Sequence, residues 1–233
     1  MKSSLKALTL LGLGLYLYSR IFTGTLLFYI NQRFAWLVMM AGVVLMAIAA
    51  SYRYRSNHDH AHHVHAFSWG GVLLIGWLIT LGLLVPPKPL GAAAMGNREV
   101  NMGTLVSTQG NSVMPTRAGE KNILDWLIAF QNTPDPAAFT NQPAHLIGFV
   151  YRDDRFSRDD FMLSRFVVSC CVADATAIGL IVRSPLAASL PGDQWVEVSG
   201  HFEPGEFSGK PTPILVTEAI TRTTPPNQPY LYP

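Results

Sequence analysis

Apolar residues are massed in the first third of the chain, and the last third alternates apolar with polar. Residues 34–52, FAWLVMMAGVVLMAIAASY, carry no charge, and neither do residues 66–85, AFSWGGVLLIGWLITLGLLV. A helix crossing the hydrocarbon core needs about 20 apolar residues, so each stretch predicts a span. Both are apolar on every face, the pattern of a lipid-facing helix. Trp36, Tyr52, Tyr54 and Trp69 lie near their ends, where interfacial aromatics collect. Residues 5–30 are apolar apart from Lys6 and Arg20. They predict a further span, one long or bent helix with Arg20 snorkelling to the interface or facing a protein partner. A cleaved leader has a similar start, but no small-x-small cleavage site follows and the apolar run continues past Arg20.

After Pro86 the pattern changes. PPKPLGAAAMG reads as a linker, and residues 97–118 are polar and weakly patterned. A short, strongly apolar helix is predicted near 121–131, started by Asn122 or Glu120 and stopped by Thr133-Pro134. Strand-like runs then follow one another: HLIGFVYR, FMLSRFVVSCCV, AIGLIVRS, the WVEVSGHFEP run and PILVTEAITRT, with turn-forming or charged segments between them. Five short strands at this spacing predict a small antiparallel barrel or sandwich. Gly148 and Gly200 inside strands suit the bends of an OB-like barrel. The fold class expected is a membrane α-helical N-terminal region of about three spans plus an all-β C-terminal domain, a small five-stranded OB-like barrel. The organisation expected is a transmembrane region over 1–86, with spans near 6–30, 34–52 and 67–86. A linker over 87–143, the β domain over 144–225 and a tail over 226–233 follow.

Composition sharpens this. Of the 233 residues, 49% are hydrophobic and only 14% charged, well below the ~25% charged of soluble domains, so part of the surface avoids water. A net charge of +2 and the absence of a basic stripe argue against a nucleic-acid partner, although OB-like barrels often bind one. With three spans, Lys2, Lys6, Arg53 and Arg55 fall on one side and Arg20, Arg33 and Lys88 on the other. The positive-inside rule then favours a cytoplasmic N-terminus and an extracytoplasmic C-terminal domain in a multi-pass cell-membrane protein. No phosphate-binding glycine loop is present, and no enzymatic machinery is expected.

Two places carry candidate chemistry. The loop RYRSNHDHAHHVHAF holds five of the seven histidines, His58, His60, His62, His63 and His65. Imidazoles in such a tract suit zinc or copper, yet the spacing fixes no ligand framework, and a polar juxtamembrane loop is the plainer reading. The two cysteines of the chain, Cys170 and Cys171, are adjacent. A bridge between neighbours is strained, because a trans peptide sets their Cα atoms about 3.8 Å apart. On an extended strand the two side chains point to opposite faces. This makes Cys170 a core residue in line with Met162, Ser164, Phe166 and Val168. Cys171 is then accessible, near Arg165 and Asp174. Three readings stay open. Zinc or copper could be held by Cys171, Cys170 after a bulge, Asp174 and a histidine such as His145 or His201, although the C-x-x-C spacing is missing. Cys171 could be a nucleophile assisted by Arg165. Or the turn is structural, with Asp174 accepting backbone hydrogen bonds and Arg165 pairing with Asp174 or Asp160.

The segments GFVYRDD, FMLSRFVVSCCVADATAIGLIV, WVEVSGHF and PPNQPYLYP, with LLFYIN in the N-terminal half, resemble the YcgQ-like permease-subunit family. The most specific part is Arg165, Phe166, Cys170, Cys171, Ala173, Asp174 and Ala175. The resemblance covers the C-terminal domain closely and extends to the hydrophobic half. It implies a multi-spanning, permease-like integral membrane protein as partner, and hence an accessory subunit, and it gives an architecture and a partner rather than a reaction. The alternative is a membrane-anchored metal-binding or metal-sensing protein using the His-rich loop, the cysteines, or both.

Overall fold

A computed structural model describes residues 2–55, 69–95, 100–101 and 121–233. The chain divides into two compact units, Met1–Lys88 and Pro89–Pro233.

The first unit consists of α1 (Lys2–Phe22), α2 (Ala35–Arg55) and α3 (Trp69–Leu84). Among the described residues, one helical stretch is long and apolar enough to cross a membrane, Gln32–Tyr52, with a mean hydropathy of 2.2 and 11% of it buried. At 1.5 Å per residue its 21 residues rise about 30 Å, the thickness of the hydrocarbon core. The apolar parts of the other two helices, Ala7–Phe22 and Gly70–Leu84, are shorter. The first helix does not run on to residue 30. It ends at Phe22, a 3-10 turn occupies Thr25–Phe28, and Asn31 Oδ1 accepts the Arg33 amide (3.0 Å) just before α2. Helices pack where side chains are small. Tyr18 lies on Gly42 and donates to the Met39 carbonyl (3.2 Å), while Gly14 faces Met46, so α2 runs antiparallel to α1. Gly12 meets Ile79 and Tyr16 meets Gly82, so α3 runs parallel to α1. Arg20 donates to the Gly82 carbonyl and lies 5.0 Å over the Tyr16 ring. That carbonyl belongs to the last turn of α3, whose acceptors have no helical donor. Arg20 is therefore tied to α3 rather than left to find lipid headgroups.

The second unit is a seven-stranded sheet: β1 (Val100–Asn101), β2 (Pro143–Tyr151), β3 (Asp160–Val167), β4 (Thr176–Arg183), β5 (Trp195–Phe207), β6 (Lys210–Arg222) and β7 (Tyr230–Leu231). The order is β1-β4-β6-β5-β2-β3-β7, and β3 also pairs with β4. The pairings β2–β3, β3–β4, β4–β6, β6–β5 and β5–β2 thus return to their starting strand. All are antiparallel except β4–β6. Ser208 and Gly209, both at positive φ (51° and 77°), form the two-residue turn of the β5–β6 hairpin, the geometry that matches strand twist.

Alternation along the strands feeds two apolar clusters. Leu146, Val150, Phe161, Leu163, Ile178, Leu180, Val196 and Val198 join one, closed by α4 (Ile123–Asn132) through Trp126 and Leu127. Asn122 begins α4, accepting the Leu124 and Asp125 amides while the Asp125 carboxylate accepts the Asn122 amide, a capping box. Phe149, Met162, Phe166, Ile181, Trp195 and Ile214 join the second cluster, on the other face of the strands. That face is covered by Leu90, Ala92, Ala94, Met95 and Tyr230. Segments expected as linker and tail therefore supply both the cover and the edge strands β1 and β7. Arg165 fixes the tail: Nε donates to the Pro229 carbonyl (3.1 Å) and Nη2 to that of Gln228, with the guanidinium over Trp195. It pairs with neither Asp174 nor Asp160; Arg183 takes Asp160 instead (2.8 Å).

Candidate functional site

The site grows from the end of β3. The β3–β4 register pairs Val167 with Thr176, so the chain must reverse within residues 168–175. Val168 is still buried and donates to the Leu231 carbonyl (3.0 Å). The next three amides turn toward one acceptor. Asp174 Oδ1 accepts from Ser169 (3.0 Å), and Oδ2 from Cys170 (2.7 Å) and Cys171 (3.4 Å). Consecutive amides converging on an anion form a nest, closed here by a short 3-10 turn over Val172–Asp174.

This reversal changes where the thiols point. The expectation of opposite faces required β3 to continue through residue 172, and it stops at Val167. Cys170 is exposed rather than packed in the core, and Cys171 is half-buried. Both are free thiols, side by side, with Sγ atoms 3.8 Å apart. With a carboxylate oxygen of Asp174 their ligating atoms all lie within 4.8 Å of one another. The sequence thus named the three residues and offered Asp174 as an acceptor of backbone hydrogen bonds, but not that the amides it gathers are those of residues 169–171. The one signal of that nest was an aspartate three residues after the second cysteine, a position from which a short side chain reaches back to the amides.

The electrostatics follow from the same contacts. Burial raises the Asp174 carboxyl, but the Cys170 thiol and the three amides outweigh it and hold the group below the usual carboxylate range. The carboxylate in turn pushes the Cys170 thiol up to about 11, with the neighbouring Cys171 adding to the effect. A thiol so raised is protonated at neutral pH, the reverse of an activated nucleophile. The expected assistance from Arg165 is also missing, since its guanidinium is spent on the tail carbonyls.

His145 and His201 do not join the site. Among the described residues the group holds two cysteines and one aspartate. His145 meets Glu197 (2.7 Å) and Ser199 (2.8 Å). His201 lies between Glu218 (3.0 Å) and Glu203 (3.4 Å). The loop histidines His58, His60, His62, His63 and His65 lie outside the described residues.

The class defined so far is a two-unit protein: a helical unit with one helix fit to cross a membrane, and a β unit presenting two thiols and a carboxylate on an exposed turn. Residues 5–101 match the DUF1980 N-terminal domain and residues 106–233 the DUF1980 C-terminal domain, and the chain belongs to the DUF1980 family. It is 24% identical over 102 residues to "UPF0703 protein YcgQ" of Bacillus subtilis (strain 168), a stretch covering 42% of this chain and 35% of that protein. It is 28% identical over 99 residues to a Streptococcus mutans protein named "Putative two-component membrane permease complex subunit", covering 42% of this chain and 36% of the relative. The matches thus span about a third of each relative's length. The resemblance to YcgQ-like proteins read from the sequence holds.

Proposed function

We propose that this protein is an integral membrane accessory subunit of a permease-like transporter, a non-enzymatic component with a small β domain at the membrane face. One observation carries the reading: a helix of spanning length, almost none of it buried within its own chain, in a protein whose Streptococcus mutans relative bears the name of a membrane permease complex subunit. The apolar faces of α2 then meet lipid and the partner's helices. In this reading α1 and α3 cross the membrane beside α2. The parallel course of α1 and α3 and the distribution of basic residues support a β domain on the extracytoplasmic side. The circuit of pairings, with its single parallel contact between β4 and β6, supports an OB-like barrel.

The test is capture from the native membrane. Photo-crosslinking residues placed at Trp36, Met40 and Val44, all exposed on α2, should trap one multi-spanning membrane protein, which should also co-purify with the tagged chain in mild detergent. Recovery of the chain alone, with crosslinks to lipid only, would overturn the reading.

A further inference from the structure

We propose that the turn after β3 is a zinc-class metal site in which Cys170 Sγ, Cys171 Sγ and one oxygen of Asp174 ligate the ion. The argument is geometric. Two Zn–S bonds of about 2.3 Å at the tetrahedral angle span a sulfur–sulfur edge of about 3.8 Å, and the two thiols stand 3.8 Å apart. A linear two-coordinate ion such as copper(I) would need sulfurs roughly 4.6 Å apart by the same bond length, so the turn suits a tetrahedral ion better. Adjacent cysteines on a strand cannot meet in this way; only the reversal held by Asp174 puts both sulfurs on one side.

The surroundings fit the charge. Two thiolates and a carboxylate around a divalent ion leave one net negative charge, and the amides of residues 169–171 direct their dipoles at that carboxylate. Backbone groups thereby hold the ligand oxygen in place, as outer-shell partners do in zinc sites. Oδ1 accepts the Ser169 amide (3.0 Å), and a carboxylate oxygen has a second lone pair to offer a metal. Binding replaces two S–H bonds by two Zn–S bonds and releases two protons to solvent. The fourth position goes to water or to a donor from another molecule, as in sites that exchange ligands. The exposure of Cys170 and Asp174 gives the ion a direct path in and out. The turn is already closed by Asp174 alone, so the metal is cargo or signal here and not a support of the fold.

The test uses the full chain in detergent with His58, His60, His62, His63 and His65 all replaced by Ser, so that loop imidazoles cannot bind. Cobalt(II) alone is titrated first, then zinc(II) alone. Equimolar cobalt should produce a thiolate-to-cobalt charge-transfer absorption that zinc abolishes on displacement, and zinc should protect both thiols from iodoacetamide. Combining Cys170→Ser with Cys171→Ser should remove the absorption. It should also weaken zinc binding by more than the roughly 10–100-fold that loss of an outer-shell partner costs. Thermal melts of the metal-free proteins should coincide, since neither thiol supports the core. A parent protein with no charge-transfer band and unprotected thiols overturns the site, and so does zinc affinity unchanged in the double variant. The parent spectra and alkylation decide the matter even if the variant folds poorly.

Discussion

Asp160 shows how much one side chain can tie together in this β unit. It is nearly buried at the start of β3 and accepts Arg183 Nε (2.8 Å), Arg183 Nη2 (3.2 Å) and Ser157 Oγ (2.7 Å). Burial raises its carboxyl, yet the hydrogen bonds from Arg183 and Ser157 and the nearby arginine charges outweigh this and keep it below the usual range. A carboxyl lowered on folding contributes stability above its unfolded pKa of about 3.9. That contribution is lost as pH falls through the lower folded value. Asp160→Asn should therefore destabilise the protein by roughly 1–3 kcal/mol at neutral pH, and the gap to the parent should close below pH 4. Thermal melts of the detergent-solubilised chain across pH, followed by tryptophan fluorescence, measure this. A gap that persists at low pH would refute it. At this scale the sequence named Cys170, Cys171 and Asp174 as one group but misplaced the thiols. Alternation assigns faces only while a strand continues, and what ends β3 is its register with β4, a long-range property. The partner of Arg165 was hidden for the same reason, because the carbonyls it binds lie in the last residues of the chain.

Among the elements, the β5–β6 pair depends on close backbone approach. The register shifts at Ser199/Gly200, where Ser199 faces Ala219 and Gly200 faces Thr217, so Glu218 is the extra residue of a bulge. A Cβ on Gly200 would lie 2.0 Å from the Val216 carbonyl oxygen and 2.9 Å from its carbon. Those atoms are backbone and cannot swing aside. Gly200→Ala should destabilise the chain by roughly 1–3 kcal/mol, the usual cost of forcing atoms into a packed site, read as a lowered melting temperature. An unchanged melt would show that the bulge relaxes freely. This was partly legible: glycine inside an apolar alternation signals a bend or close approach, and the strand runs came out near their observed places because alternation and turn residues are local. The helix start at Asn122 was legible for the same reason. The edge strands β1 and β7 were not, since two residues carry no periodicity and are strands only by virtue of their partners β4 and β3.

For the whole molecule, the two cysteines are a reporter of topology as well as a candidate site. They are the only thiols in the chain, and one is exposed on the β unit. The proposed arrangement puts Lys2 and Arg53–Arg55 on the cytoplasmic side and Arg33 and Lys88 opposite. The preference rests on few charges, as orientation often does when loops are short. A membrane-impermeant maleimide removes the dependence on counting. Applied to intact cells after chelation, it should label the chain as fully as it does after permeabilisation, and the chain with Cys170→Ser and Cys171→Ser should stay unlabelled. Labelling that appears only after permeabilisation would put the β unit inside and invert the orientation. It would also move the thiols into a compartment whose glutathione keeps them reduced. Outside, two vicinal thiols can persist as such only if strain forbids their disulfide or an ion holds them. The neighbouring Cα spacing of about 3.8 Å falls short of the 4.4–6.8 Å that disulfides favour, which supplies the first condition. The orientation experiment therefore also bears on the chemistry of the turn: an outward-facing pair of reduced, labelled cysteines is what a surface site for a thiophilic ion requires.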